Sequence, residues 1–113
     1  MKLKVGKSNY EAVWNVFPKK RLQQIYTYIK YKKLEPLSVE KLAAELIEFS
    51  DEIATSPKAY RVINELSNER FEYRTANFKK TYRFIYRINE KKKQVIITNL
   101  FHNKRRPDRL SAY

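Results

Sequence analysis

The chain predicts an α+β domain: an N-terminal strand followed by an α-helical hairpin packed on a twisted, mainly antiparallel β-sheet. Three observations carry that reading. Apolar residues recur at helical spacing in two consecutive segments, first Leu22, Ile25, Tyr26 and Ile29, then Leu42, Leu46, Ile47, Phe49 and Ile53. Residues Tyr82 to Ile88 alternate with the period of two that marks a half-buried strand. A chain of 113 residues, 42% hydrophobic and 14% aromatic, can build one core but has no room for a second domain.

The elements follow in order. Residues 1–9 form a basic N-terminal arm, and 10–113 a single domain. From Tyr10 to Asn15, Tyr10, Ala12 and Trp14 alternate against Glu11, Val13 and Asn15, a short strand with one aromatic face. Pro18 suits the first turn of a helix running to about Lys33, whose outer face carries Lys19, Lys20, Arg21 and Lys30. Along it Tyr26, Tyr28 and Tyr31 are expected to be packing and rim residues. The segment Leu34-Glu35-Pro36-Leu37 ends this helix, Ser38 is placed to cap the next with Leu37 and Leu42 as a staple, and Ser56-Pro57 stops it. So short a connection implies an antiparallel hairpin. After an irregular stretch over 58–68, a strand is expected over Arg70–Thr75 and a loop over 76–81. In the next strand Tyr82, Phe84, Tyr86 and Ile88 face one way, toward the helices, and Arg83, Ile85 and Arg87 the other. In the last strand Val95, Ile97 and Phe101 oppose Ile96 and Leu100; both parities are apolar, as expected of a central strand.

Charge narrows function. The net charge is +13 with a pI near 10, which implies an anionic partner. Residues 70–110 hold 13 Lys and Arg against 3 Asp and Glu, leaving 12 against 9 elsewhere, so the C-terminal sheet is the expected contact surface. Zero cysteines exclude disulfides, thiolate metal sites and cysteine nucleophiles, and one glycine, Gly6, excludes a glycine-rich phosphate loop. No cofactor or metal is expected. No apolar run approaches the roughly 18 residues of a membrane span, and Met1 to Val5 lead into no signal-type segment, so a cytoplasmic protein without a membrane partner is expected.

Candidate site residues cluster near the sheet. Arg83 and Arg87 share the strand face opposite the helices; His102, the one histidine, ends the last strand, followed by Lys104, Arg105 and Arg106 and then Arg109. Cleaving RNA through its 2′-hydroxyl takes a base, an acid for the leaving oxygen and cations for the charge developing on phosphorus. His102 could move the proton, with Arg83, Arg105 and Arg106 as cation clamps; a structural or partner-contacting histidine is the competing reading. Arg74, Lys79, Lys80, Arg87, Lys104 and Arg109 are candidates for binding a target or nucleic acid, whereas Lys91-Lys92-Lys93 reads as a solvated turn. Tyr82, Phe84 and Tyr86 share the parity of Ile88, and so read as core in preference to a base-stacking platform.

Val13-Trp14-Asn15 leading into Leu22 to Ile29, Asn64-Glu65-Leu66, Tyr82 to Ile88, and Leu100-Phe101-His102-Asn103-Lys104-Arg105-Arg106-Pro107 together resemble, in order and spacing, the RelE/ParE toxin superfamily over roughly residues 10 to 110. The resemblance implies the toxin of a type II toxin–antitoxin pair, neutralised by an antitoxin whose C-terminal segment wraps the sheet and helices. RelE-like members cut mRNA in the ribosomal A site; ParE-like members keep the scaffold, lack that catalytic set and block DNA gyrase. Arg83 matches a phosphate-gripping arginine of the RelE-like nucleases, and Arg105 or Arg106 a second one. Where that pattern has a C-terminal tyrosine this chain has Leu110, with Tyr113 three residues later, and its middle-strand lysines are represented by Arg70 and Arg74, with Lys79 and Lys80 in a longer loop. These departures favour the ParE-like branch; the alternatives are a ribosome-dependent endoribonuclease and a non-toxic nucleic-acid-binding module.

Overall fold

The structure is a computed structural model that describes residues 10–33 and 36–103. Strand β1 (Glu11–Trp14) leads into helix α1 (Val16–Tyr28), which passes into one π-helical turn over Ile29–Lys33; helix α2 spans Pro36–Thr55 and is followed by a 3₁₀ turn at Pro57–Ala59. Strands β2 (Arg61–Val62), β3 (Tyr73–Phe78), β4 (Tyr82–Asn89) and β5 (Gln94–His102) complete the chain's described order. The five strands form one sheet in the order β1-β5-β4-β3-β2, antiparallel except that β1 lies parallel to β5. The α+β architecture and the position of β5 inside the sheet agree with the sequence reading.

Local chemistry explains the element ends. Asn15 enters α1 with extended backbone and its carbonyl accepts the Lys19 N–H at 3.2 Å; Pro18, buried in the first turn, needs no donor there. The second helix starts at Pro36, two residues before Ser38, so Ser38 lies inside its first turn and is not its cap. Proline at a first helical position supplies a fixed φ where its missing N–H costs nothing, and this outweighs the serine signal.

Two strand assignments shift. Residues Arg61–Val62 pair with Arg74 and Thr75, adding a strand too short for a period-two pattern to reveal. Strand β3 runs to Phe78, three residues beyond Thr75, because Lys79 and Lys80 make the turn to β4 themselves, both with positive φ (53° and 61°). Non-glycine residues seldom occupy that region, so the sequence carries no Asn-Gly signal to place the turn.

The core lies between the helices and one face of the sheet. Leu46, Ile53, Phe84, Tyr86, Val95 and Ile97 are fully buried there, each large side chain contributing about 1.5–3 kcal/mol. Phe49 of α2 meets Tyr60, Phe78 and Phe84 at ring separations of 5.2 to 6.3 Å. The Trp14 indole donates to Ser50 Oγ at 3.0 Å, and Ser50 in turn donates to the Ile47 carbonyl at 2.6 Å, so this buried hydroxyl is satisfied.

A β-bulge corrects the parity expected for β5. Tyr86 pairs with Ile97 and Ile85 with Asn99, which leaves Thr98 as the extra residue; its hydroxyl donates to the Ile85 carbonyl at 3.1 Å. Leu100 therefore joins Val95 and Ile97 in the core, and Phe101 turns to the opposite face with Ile96. Strict alternation through 94–101 assigns these two residues the wrong way round.

Candidate functional site

The face of the sheet turned away from the helices is set by register. One row crosses it as Val13, Ile96, Arg87 and Tyr73; the next as Asn99, Ile85, Thr75 and Arg61; the third as Phe101, Arg83 and Asn77. Arg61 on β2 and Arg83 and Arg87 on β4 thus stand on one surface, with β3 between them. The bulge at Thr98 brings Phe101 opposite Arg83, whose guanidinium carbon lies 5.8 Å from the Phe101 ring centroid, and Arg87 sits 4.2 Å from that of Phe71. Guanidinium stacked on aromatic carbon is held in orientation while its N–H edge stays available for an anion.

The cations of this face differ from four that lie off it. Lys58, Arg74, Lys79 and Lys93 each sit against a carboxylate, namely Glu90, Glu72, Glu45 and Glu90. Arg61, Arg83 and Arg87 have no carboxylate in ion-pair reach among the described residues. The open face's described strand residues include a single acid, Glu11, exposed on the edge strand. Two buried side-chain polar atoms lack a hydrogen-bond partner among the described residues, Arg83 Nε and Thr75 Oγ1, and both belong to this face. Each unmet group costs roughly 1–3 kcal/mol.

The structure sorts the sequence candidates. Arg83 and Arg87 are brought together on the open face. Arg74 lies on the helix side, where its guanidinium donates to the Lys58 carbonyl at 3.1 Å, to the Tyr60 carbonyl and to Glu72 Oε1 at 2.9 Å, and so fastens the 3₁₀ turn to the sheet. Lys79 and Lys80 occupy the β3–β4 turn, with Lys79 Nζ 3.1 Å from Glu45 Oε1 of α2. His102 pairs with Tyr82 on the helix side, the two rings 5.0 Å apart edge to face, so it does not share the surface of Arg83. Lys104, Arg105, Arg106 and Arg109 lie outside the described residues. Sequence reasoning missed Arg61, Phe71, Tyr73 and Phe101; the first sits in the two-residue strand, and the last is hidden by the bulge.

Away from this face, Glu90 in the β4–β5 turn accepts the Tyr10 hydroxyl at 2.7 Å and meets Lys58 at 3.0 Å. The hydrogen bonds from Tyr10 and Lys58 hold its carboxyl below the usual range. This network ties Tyr10, Lys58 and Lys93 to one carboxylate at the far end of the sheet.

Comparison with known proteins gives three findings. A family model described as the ParE toxin of type II toxin–antitoxin system, parDE, matches residues 17–107. Among solved structures, the toxin–antitoxin complex RelBE2 from Mycobacterium tuberculosis contains a chain 20% identical to this one, with 84% of this chain and 92% of that chain covered at a TM-score of 0.56. The isolated E. coli RelE toxin is 17% identical, with 91% and 94% covered at a TM-score of 0.46. No curated protein matches the chain.

Proposed function

The chain belongs to the ParE toxin family of type II toxin–antitoxin systems, within the RelE/ParE superfamily, and on that premise we propose that it arrests growth by blocking DNA gyrase and not by cutting mRNA. One observation carries the finer reading: among the described strand residues, the positive charge of the open face is wholly guanidinium. A guanidinium stays protonated at every working pH, so it can grip a carboxylate or phosphate but cannot take and return a proton. RNA cleavage needs that proton transfer. Histidine 102, the residue suited to it, faces the helices. Tyr73, beside Arg87 in the register, is the one phenol among these strand residues.

The toxin's expected antitoxin presents an acidic or amphipathic segment, and the open face suits it: three cations with no carboxylate partner among the described residues, two of them set against aromatic rings. Both the antitoxin and the target would use charge-assisted bonds to Arg61, Arg83 and Arg87. The test is a pair of reconstituted reactions with purified toxin. DNA supercoiling by gyrase should fall while mRNA in programmed ribosomes stays intact, and added antitoxin should restore supercoiling. Cleavage of the ribosome-bound message, abolished by Tyr73→Phe or His102→Gln, would replace the gyrase reading with the endoribonuclease one.

A further inference from the structure

The helical hairpin is electrically divided. Residues 16–33, α1 with its π-helical turn, contain six Lys and Arg and no Asp or Glu, whereas 36–55, the span of α2, contains five acids and one lysine. A helix face that is merely solvated mixes signs at i,i+4 spacing, and α1 does not. Two of the α2 acids are engaged with groups other than the α1 lysines: Glu40, which reaches across, accepts the Tyr26 hydroxyl at 2.8 Å, and Glu45 meets Lys79. Lys19, Lys20 and Lys30 have no carboxylate partner among the described residues.

Aromatic rings are interleaved with these cations on the exposed side. Phe17, Tyr28 and Tyr31 are 59%, 44% and 68% exposed, although the helical spacing alone reads the tyrosines as packing and rim residues. Lys20, Gln24, Thr27 and Tyr28 share a shallow cleft of about 470 Å³ along the helix. The π-helical turn places Lys30 Nζ between the Tyr26 and Tyr31 rings, at 5.6 and 5.8 Å from their centroids, and so aims a cation and an open ring at the same solvent. From Lys19 to Lys30 the helix runs about 16 Å at 1.5 Å per residue, long enough to track several successive phosphates of an extended strand.

We propose that this outer face of α1, opposite in the chain's design to the arginine-bearing sheet face, is a second binding surface, and that it takes single-stranded nucleic acid. Lys19, Lys20 and Lys30 contact phosphates, and Tyr28 and Tyr31 stack unpaired bases. Charge complementarity favours a polyanion, and exposed rings between the cations favour one whose bases are free to stack. The surface is separate from the site that defines the toxin's target, so it stands or falls independently of the gyrase reading.

The experiment titrates full-length protein into labelled oligo-dT and, separately, a duplex of equal length, following fluorescence anisotropy at several salt concentrations. Single-stranded DNA should bind more tightly than duplex. The triple variant Lys19→Gln, Lys20→Gln, Lys30→Gln should lose at least about tenfold in affinity, and its salt slope should fall by about two, at roughly 0.7 per phosphate contact. The corresponding triple arginine variant should retain binding, which separates charge from folding. Tyr28→Ala with Tyr31→Ala should weaken the single strand more than the duplex. Unchanged affinity in the triple glutamine variant overturns the proposal, as does loss confined to Arg61→Gln with Arg87→Gln on the sheet. Equal binding of both nucleic acids, or capture by anionic phospholipid vesicles without oligonucleotide affinity, overturns it too.

Discussion

At the scale of single residues, the fold spends some polar groups on itself and leaves others open. Tyr86 is fully buried, donates its hydroxyl to the Pro57 carbonyl, and has its phenol pushed well above the ordinary value by burial. Such a group favours the folded state while it is neutral in both states; that contribution is complete below the unfolded value of about 10 and is lost as pH rises beyond it. Tyr86→Phe should therefore cost about 1 kcal/mol in urea denaturation at neutral pH and flatten part of the stability decline above pH ~10. A variant with the full alkaline decline would place its origin in the other tyrosines. Arg74 is the converse of Arg83. Its sequence context beside the basic strand marks it for binding, yet parity points it inward, where Arg74→Met should destabilise by about 2–3 kcal/mol through two freed carbonyls and Glu72. The same substitution at Arg83 should be neutral or stabilising, since its Nε has no partner to lose.

At the scale of elements, periodicity revealed the helices, the aromatic strand and the interior position of β5, and it failed where geometry departs from the ideal period. Alternation cannot show a bulge, so Leu100 and Phe101 exchange faces in the structure. Leu100→Ala should cost about 2–5 kcal/mol, as a fully buried side chain does, and Phe101→Ala distinctly less; the reverse order in equilibrium unfolding would restore uninterrupted alternation. The β3–β4 turn hid for a related reason. Two lysines in the left-handed region give no turn signal, and replacing Lys79-Lys80 with Asn-Gly should raise stability by about 1 kcal/mol. Part of the candidate site was legible for the same reason that the strand was: Arg83 and Arg87 sit on a clean period-two stretch. Arg61 was not, because two residues make no pattern, and Phe71 lies before β3 and reaches Arg87 only through tertiary placement.

At the scale of the whole molecule, one core fixes two surfaces, and charge is distributed between them by register and not by composition. The excess of +10 in residues 70–110 pointed to the sheet, but which cations reach the open face depends on parity, which sends Arg74 and His102 to the helix side. No helix among the described residues is long and apolar enough to cross a membrane. Reversing charge at Arg83 and Arg87 together should weaken the antitoxin complex at least a hundredfold in a titration by calorimetry, since two charge-assisted contacts become repulsive; an unchanged affinity would remove the open face from that interface. The central claim is that this face grips without cleaving. Its most direct test is pulse-labelling of DNA and protein synthesis in one bacterial culture after tightly controlled induction of the toxin. DNA synthesis should stall first while translation continues; collapse of protein synthesis ahead of DNA synthesis would contradict the gyrase reading and put a ribosome-dependent nuclease in its place.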